Sequence, residues 1–532
     1  MALDTSSLSN YLKGITNAIR NKKGTSGAIQ HNLIDEEIAS IPTGFTNYIE
    51  TSAFGWGLFN EKNYLASYDL NQIDFNNYNF RSACLMFNNC GEITTIPNFN
   101  TTAVNNFYSF LRGCYHLKTI PNLDFSNGTN FCGAFQALLS LNEFPNINTS
   151  KGVDFSYFLA NCYYLNIVPN LDFSNGISFY HAFYGLHELK AIPESLKVDF
   201  NHSVNFCSSF MDCYKLKEVN NFNLANVINT RAMFYNCTNL DSVDNFNCYN
   251  ASDISGMFYN CSNLYSISNF YTNSCKYFNF LFYQCNNLTD YPNSISIDSG
   301  THFNGMFNAC RNLINIPNTL YFNNGQYFND MFYNCEALKN NLNIIFGINN
   351  NLNTQNMFGN CKNIPVVNLI FPNNNILWNG SGTFKNCFNL IEVSLGNCSD
   401  LCNTFYECRN LQQIHNLVQV NISLNMNRTF YNCQSLHTID IPLNYKSGLF
   451  TFTFCNNLTN IQFYENGIRN NISFNTSPNL SSDSINSIAN GLYLTTVAPF
   501  HTLTLNLNLK NNLTEEQIAT ITTTKGWSIA YA

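Results

Sequence analysis

Cysteine is the first residue type whose number and spacing could carry chemistry. The chain of 532 residues holds 21 cysteines, and fourteen share one column of a repeat that returns every 21 to 27 residues, from Cys90 to Cys455. We call this column position 0; Leu138 and Leu186 occupy it in the two copies that lack cysteine. Apolar residues stand three positions before and after it, which is typical of a small buried hydrophobe.

The spacing disfavours both disulfide and metal chemistry. In stacked copies the side chains of this column would point inward in parallel instead of at one another, which does not suit a disulfide. No C-x-x-C occurs, and the nearest approach to a ligand cluster, Cys398, Cys402 and Cys408, lacks a nearby histidine. We therefore expect free buried thiols, no metal site and no cofactor.

Tyrosine and asparagine recur at positions −2 and −1. Because positions −3 and 0 are apolar and should point inward, these two should face outward as a strip along the stack. Such a strip suits a neutral carbohydrate or wall polymer, whose sugar faces stack on rings while its hydroxyls bond amides. The alternative is that each tyrosine packs on the phenylalanine of the adjacent copy. The candidate strip is Tyr184, Tyr235, Asn236, Tyr259, Asn260, Tyr283, Tyr333, Asn334, Tyr406 and Tyr431.

A third polar column lies eight residues after the cysteine and holds asparagine, for example Asn221, Asn245 and Asn269. In stacked parallel coils such amides can bond one another along the axis. This column therefore predicts a structural asparagine ladder.

Catalysis finds little support in the sequence. The nine histidines share no column, and His181, His187 and His202 fall on neighbouring copies at different offsets. The chain has no H-E-x-x-H, no G-x-S-x-G and no phosphate loop, and no pair of carboxylates repeats. We predict that the protein is not an enzyme.

The repeat itself predicts the fold. Sixteen copies place Phe at −3, except for Leu111 and Leu159, and Leu or Ile at +3, with Ile, Val or an aromatic residue at +6 in most copies. A fixed apolar spacing at this period is typical of a solenoid, in which each coil buries its apolar edge against its neighbours. We expect a right-handed α/β solenoid of about 16 coils. Each coil should have a helical or 3₁₀ turn ending near position 0, then a short parallel strand around +3 to +9.

Proline limits those strands. It follows the strand position in seven copies, so the strands should be short. These prolines are Pro97, Pro121, Pro145, Pro169, Pro193, Pro292 and Pro317.

Composition excludes two classes of partner. The net charge is −8 and only 11% of residues are charged, so the basic stripe of a nucleic-acid-binding protein is missing. The chain has no run of about 18 apolar residues, so we expect no membrane insertion. The N-terminal stretch MALDTSSLSNYLKGITNAIRNKKGT lacks the apolar region of a secretory signal.

The two ends differ from the repeat. Residues 1–44 predict a small helical module, residues 45–80 a linker with a degenerate N-terminal cap repeat, residues 81–466 the solenoid, and residues 467–532 an α/β C-terminal cap. The apolar stripe of the first helix is too small to be buried alone, so it should pack on the first coil, on other copies of the chain or on a partner. That stripe is Leu8, Tyr11, Leu12, Ile15 and Ile19.

The predicted C-terminal cap has three elements. Ser481 or Ser482 caps a helix carrying Ile485 and Leu492, and alternating leucines from Leu503 to Leu509 predict a strand. The stretch TEEQ, from Thr514, has the spacing of a capping box before a second helix, and a last strand is expected at 527–529. A cap of this kind covers the open end of a solenoid.

Three parts of the chain carry resemblances to known families. Copies such as NVINTRAMFYNCTNLDSVDNF resemble the BspA-type leucine-rich repeat of bacterial surface proteins and mycoplasma lipoproteins. The stretches LSNYLKGITNAIRNKKGTSGAIQ and IDEEIASIPTG are similar to a short N-terminal module common on structural proteins of tailed phages and prophages of low-GC Gram-positive bacteria. The LTEEQIA and KGW ending resembles the terminal segment of many such repeat proteins.

The resemblances imply a virion protein, made in the host cytoplasm without a signal peptide. We expect a tail fibre or other receptor-binding component, attached to other virion proteins through residues 1–44 and contacting host surface carbohydrate or protein through the solenoid face. Association with further copies of the same chain is also open. The alternatives are a head fibre or capsid decoration protein, and a bacterial cell-surface adhesin.

Overall fold

The computed structural model describes residues 57–61, 75, 80–196, 202, 204–222, 224–292, 294–348, 352–372, 376–417, 424–440, 445–446, 451–496 and 501–532. The predicted helices of residues 1–44, with the stripe from Leu8 to Ile19, lie outside the described residues. So does most of the 45–80 segment.

The three apolar columns of the repeat form one continuous core. Every residue at position 0 from Cys90 to Cys455 is fully buried, and so is every residue at −3 from Phe87 to Phe452. The leucine or isoleucine at +3 is also buried in every copy, and all three columns belong to a single hydrophobic cluster. The predicted solenoid is confirmed.

Stacked phenylalanine rings run through this core. At position −3 neighbouring rings lie nearly parallel from Phe183 to Phe452, for example Phe307 and Phe332 with centroids 5.5 Å apart and planes at 0°. Rings stacked with an offset at this distance add attraction beyond the area that they bury. Each coil therefore completes its core only against the next.

Each coil turns without a helix. In the coil of Cys237, the N–H groups of Tyr235 and Cys237 donate to carbonyls three residues back, at 3.2 and 3.1 Å. Asn236, between them, donates instead to the Tyr259 carbonyl of the next coil at 2.8 Å. A helix keeps its N–H groups within one segment, so the predicted helical or 3₁₀ turn is wrong. The coil is built of successive reverse turns, because alternate N–H groups are needed to join neighbouring coils.

The described residues form twenty short strands. They are β1 Val204–Asn205, β2 Glu218–Asn220, β3 Val227–Asn229, β4 Ser242–Asn247, β5 Ser266–Tyr271, β6 Thr319–Phe322, β7 Leu342–Phe346, β8 Leu352–Asn353, β9 Val366–Ile370, β10 Trp378–Asn379, β11 Glu392–Ser394, β12 Cys398–Asp400, β13 Gln413–His415, β14 Leu424–Asn425, β15 Thr438–Asp440, β16 Tyr445–Lys446, β17 Asn460–Gln462, β18 Ile472–Phe474, β19 Thr502–Leu505 and β20 Ser528–Tyr531.

The strands form two parallel ladders along the stack. One ladder joins residues at position −8, first as single bridges from Ser82 to Asn353, together with β1 and β3, then as the sheet β8-β10-β12-β14-β16. The other joins residues from about +5 to +12 in the sheets β2-β4-β5, β6-β7-β9-β11-β13 and β15-β17. A partner such as Val243 with Ile267 is one coil of 24 residues away, so the pairing register equals the repeat length.

Proline explains where the second ladder is missing. In the described coils from Pro97 to Pro193, which all carry proline at +7, no strand forms at this position. Proline has no N–H to give to a ladder. The ladder begins with β2 in the coil of Cys213, where Asn220 stands in place of proline.

The C-terminal end combines helices with a three-stranded parallel sheet, β18-β19-β20. Helix α1, Ser482–Gly491, begins after Ser481, whose side chain accepts from the Ser484 N–H. Helix α2, Glu515–Ala519, begins with the predicted capping box between Thr514 and Gln517. It continues into a wider helical turn at Thr520–Thr524. No helix in the described parts of the chain is long and apolar enough to cross a membrane.

The predicted strand from Leu503 to Leu509 is only half right. β19 ends at Leu505, and a 3₁₀ helix follows at Leu507–Asn512. The residue before this helix, Asn506, is its N-cap, and its side chain accepts from the Asn508 N–H. This local cap ends the strand although the leucines keep alternating. A second 3₁₀ turn lies at Glu194–Leu196.

The thiols also join the coils. Sγ of Cys261 lies 3.2 Å from the Phe234 carbonyl oxygen of the preceding coil, and Cys310 lies 3.0 Å from the Phe282 oxygen. The contact recurs in every copy with cysteine at position 0, from Cys90 to Cys455. A thiol is a weak donor that fits an apolar site, so cysteine serves here as a hydrophobe with one coil-to-coil bond.

Cys261→Ala should lower the free energy of unfolding by about 1–3 kcal/mol, because it removes a fully buried sulfur and its bond to the Phe234 carbonyl. The matched control is Cys132→Ala at a partly exposed position, with an expected change of about 0.5 kcal/mol or less. Guanidinium unfolding followed by circular dichroism measures both. Equal losses would contradict the role given to position 0.

Candidate functional site

Seventeen of the 21 cysteines are buried, and the other four are partly exposed. All 21 are free thiols, and Cys398 and Cys408 are buried, each with its sulfur against a backbone carbonyl. Burial raises the pKa of Cys162 to about 12 and the pKa of Cys132 to about 11. A raised pKa leaves little thiolate, which is the nucleophile and the metal ligand. In the described residues no group of three or more His, Cys, Asp or Glu side chains is placed to hold a metal.

The asparagines at position −1 stand where the backbone is left-handed. In all sixteen copies this residue has a positive φ, as in Asn236 at 59°, Asn260 at 55° and Gly113 at 73°. Glycine and asparagine adopt this conformation at the lowest cost. The turn alone therefore favours asparagine and glycine at −1, although Ala137, Ala309 and Phe454 also adopt this backbone conformation.

The same asparagine side chains bond one another along the stack. Asn260 donates to the Asn236 oxygen at 3.0 Å, and Asn236 donates to Asp212 at 2.8 Å. Asn360 donates to the Asn334 oxygen at 2.7 Å. Each amide of the candidate strip thus shares its hydrogen bonds with a neighbouring coil.

The predicted ladder at position +8 is present in three consecutive coils. Asn245 donates to Asn221 at 2.9 Å, and Asn269 donates to Asn245 at 2.7 Å. All three have positive φ, between 51° and 54°. The prediction is confirmed for this part of the chain.

The tyrosines at position −2 are partly exposed but stack on one another. Tyr235 and Tyr259 have centroids 4.3 Å apart at 7°, and Tyr259 and Tyr283 are 4.4 Å apart at 11°. Tyr406 and Tyr431 repeat this arrangement at 4.8 Å and 5°. Ring faces used in this way are closed to a sugar, so these tyrosines offer mainly edges and hydroxyls.

Two further tyrosines of the candidate strip have other partners. The ring of Tyr333 lies over Gly359, where an added Cβ would come within 2.7 Å of it. Tyr184 packs edge-on against His181, with centroids 5.4 Å apart. Burial and the nearby Asp212 carboxylate raise the pKa of Tyr184, so its hydroxyl stays protonated.

The three histidines that fall on neighbouring copies have separate environments. His181 stacks on Tyr157 at 5.1 Å, and burial lowers its pKa. His187 lies in a row between Tyr163 and Tyr214, at 4.4 and 4.7 Å. His202 bonds the Gly176 carbonyl through Nε2 at 2.9 Å.

Sequence reasoning missed two aromatic rows on the surface. One is Tyr163, His187 and Tyr214 at position +1; the other is Tyr277, His302 and Tyr327 at position −8. Both mix tyrosine with histidine, so neither appears when a single residue type is followed down a column. Comparing the outward positions coil by coil for aromatic residues of any type would find both rows.

Comparison with known families gives a direct match. Residues 75–195, 203–319 and 294–367, more than half of the chain, match the family described as "Mycoplasma protein of unknown function, DUF285". The chain belongs to this DUF285 family. The resemblance to BspA-type leucine-rich repeats is thereby confirmed, whereas the phage-like module at residues 1–44 stays a prediction. No curated protein sequence matches the chain.

Solved structures include several leucine-rich-repeat proteins similar to this DUF285 chain. One from Bacteroides ovatus is 18% identical with a TM-score of 0.31, covering 64% of this chain and 91% of its own. A leucine-rich cell surface protein from Faecalibacterium prausnitzii is 17% identical, with a TM-score of 0.30. The alignment covers 60% of this chain and 80% of that protein. An internalin from Listeria monocytogenes is 14% identical, with a TM-score of 0.22. The alignment covers 58% of this chain and 84% of that protein. These likenesses carry no functional information.

Iodoacetamide should leave the position 0 thiols of the native DUF285 repeats unmodified at pH 8, because burial raises the pKa of groups such as Cys162 well above that pH. Slow alkylation is expected only among the four partly exposed cysteines, Cys84, Cys132, Cys207 and Cys402. Mass spectrometry of tryptic peptides locates the label, and the same protein in guanidinium serves as control. Rapid labelling of Cys162 in the native state would contradict the buried column.

Asn260→Ala should destabilise the DUF285 repeat by about 1 kcal/mol more than Asn260→Gly, because alanine is strained at φ 55° and glycine is not. Both variants lose the amide bond to Asn236, so their difference isolates the backbone requirement. Thermal unfolding followed by circular dichroism measures it. Equal stability of the two variants would show that the turn does not select the residue at −1.

Proposed function

We propose that the chain is a non-catalytic binding protein, carried on a phage virion as a tail fibre or other receptor-binding component. It contacts host surface carbohydrate or protein through the outward side of its solenoid. The N-terminal residues 1–44 attach it to other virion proteins.

The outward columns are the observation that carries the proposal. The columns at −8, −5 and +1 hold exposed aromatic residues in several coils, such as Tyr277 at 39% at −8, Phe280 at 43% at −5 and Tyr214 at 40% at +1. Solenoids form extended binding surfaces by this repetition. Large aromatic side chains on a surface mark interaction sites when they cluster.

Charge supports contact with a neutral or weakly charged surface. The chain has 25 basic and 33 acidic residues among 532. The described ion pairs lie at the surface, such as Lys362 with Glu336 at 2.7 Å. Surface ion pairs contribute little to stability. Binding would therefore depend on shape, rings and hydrogen bonds.

The non-catalytic part of the proposal rests on the arrangement of possible acids, bases and nucleophiles. In the described residues, His181 and His187 are held by aromatic neighbours, and seventeen of the 21 cysteines are buried. Catalysis needs a nucleophile or base positioned beside its partner. The contacts described for these histidines and buried thiols are ring stacking and hydrogen bonds to backbone carbonyls.

Gold-labelled antibodies against the full chain, applied to purified particles and to host cells, test the location. Label at the tail tip is the expected result. Label on the capsid would favour the head fibre or decoration protein, and label on cells without particles would favour the adhesin.

Binding is tested with the purified full chain. Incubating host cells with it should reduce subsequent phage adsorption, because the chain occupies the same receptors; heat-denatured chain is the control. Adsorption that does not change, together with no retention of the chain on cells, would leave only a structural role.

A further inference from the structure

Position −8 has a defined task in most coils. Its side-chain oxygen accepts a hydrogen bond from the N–H of the residue two positions later, for example Asp253 from Ser255 at 2.8 Å. This local bond closes a turn in the manner that favours Asn, Asp and Ser. The residues that make it are Ser82, Asn106, Asn130, Asp154, Asn205, Asn229, Asp253, Asn353, Asn379, Asp400 and Asn425.

Three consecutive coils break this rule with rings. Tyr277, His302 and Tyr327 stand at position −8 and form the second aromatic row described above. In the coils of His302 and Tyr327 the turn is capped from the preceding coil instead. The Asn279 side chain accepts from the Asn304 N–H at 3.1 Å, and the Asn304 side chain accepts from the Asn329 N–H at 3.1 Å.

Moving the cap releases position −8 from its structural task in the coils of His302 and Tyr327. Rings at this position are not needed for the turn and are not needed for the core, since Tyr277 and Tyr327 are 39% and 40% exposed. These exposed tyrosines, two coils apart on either side of His302, bring apolar surface to water without a folding reason. The row is therefore an adaptation of the surface.

The geometry of the row differs from that of the tyrosines at −2. Tyr277 and His302 have centroids 4.9 Å apart with planes at 48°, and His302 and Tyr327 are 4.5 Å apart at 32°. The stacked pair Tyr235 and Tyr259, at 7°, closes its ring faces. Tilted rings leave part of each face open, which is what the C–H face of a pyranose ring requires.

Hydrogen-bonding groups line the same row. The hydroxyl of Thr301 lies 3.2 Å from the Lys276 carbonyl oxygen, to which it donates, and 2.8 Å from Nδ1 of His302. The tautomer with the proton on Nδ1 donates to this hydroxyl and leaves Nε2 as an acceptor; the other tautomer leaves Nε2 as a donor. Burial lowers the pKa of His302, which keeps its ring neutral near pH 7. A neutral ring beside tyrosine hydroxyls matches an uncharged polyhydroxyl ligand.

Phe280 widens the surface beside the row. It is 43% exposed, three residues after Tyr277, and its ring lies over Gly305, where an added Cβ would meet it at 2.6 Å. Glycine at 305 thus lets the ring lie flat against the coil.

We propose that Tyr277, His302 and Tyr327, with Phe280 beside them, form a binding site for a neutral glycan built of pyranose rings. The site rests on the proposed binding function and gives it a substrate class and a location. Successive sugars would lie along the stack, with their faces on the rings and their hydroxyls on His302 and the tyrosine hydroxyls.

The test compares full-length chains on a printed array of neutral bacterial oligosaccharides. The triple variant Tyr277→Asn, His302→Asn, Tyr327→Asn places at −8 the residue that other coils use there, so it should fold. Its melting temperature by circular dichroism checks this. The matched control, Tyr249→Asn, Tyr265→Asn, Tyr321→Asn, removes three exposed tyrosines outside the row. Wild type and control should bind equally, and the triple variant should bind at least about tenfold more weakly.

The outcomes separate the site from the function. Equal binding by the folded triple variant would overturn the site. A wild-type chain that binds host cells but none of the neutral glycans would overturn the glycan while leaving the proposed function; loss of cell binding after protease treatment would then indicate a protein partner. A chain that binds neither array nor cells would overturn both.

Discussion

The structure depends on one constraint: alternate backbone N–H groups in each turn must donate to the next coil. In the coil of Cys237, Phe234 and Asn236 donate to Met257 and Tyr259, at 2.9 and 2.8 Å. The groups between them close reverse turns within their own coil. Buried backbone groups must all be paired, so no coil is complete without a neighbour. This explains both the fixed register of the stack and the left-handed residue at −1.

The sequence predicts the core well because apolar spacing and burial are directly linked. The columns at −3, 0 and +3 are buried as expected, whereas coils such as that of Pro97, for which short strands are predicted, form none at +7. The sequence predicts the conformation of the turn and the contacts of the candidate strip less well. From the sequence, Asn260 looks available to a ligand. In the structure its left-handed backbone, at φ 55°, favours asparagine, and its side-chain amide donates to the Asn236 oxygen. Dihedral angles and cross-coil bonds leave no periodic apolar signal.

Two exceptions in the core show that neighbouring coils compensate for each other. Leu111 and Leu159 replace phenylalanine at −3, and in each case the next coil has leucine instead of cysteine at position 0, Leu138 and Leu186. These two positions face each other across the coil boundary, as the thiol-to-carbonyl contacts show elsewhere. A smaller −3 residue is matched by a larger one at 0, which limits the change in packed volume. Ring stacking moves to position −7 there, for example from Phe107 to Phe131.

The same coupling decides which surface positions are free to acquire function. A residue at −1 is held by its left-handed backbone, and a residue at −8 is normally held by the cap that it provides, as Asp253 does. Replacing one such residue alone leaves a turn N–H without its acceptor. When Asn279 and Asn304 supply that acceptor from a neighbouring coil, position −8 can change type without loss of the turn. Surface chemistry in this fold therefore depends on which backbone groups a neighbouring coil can satisfy.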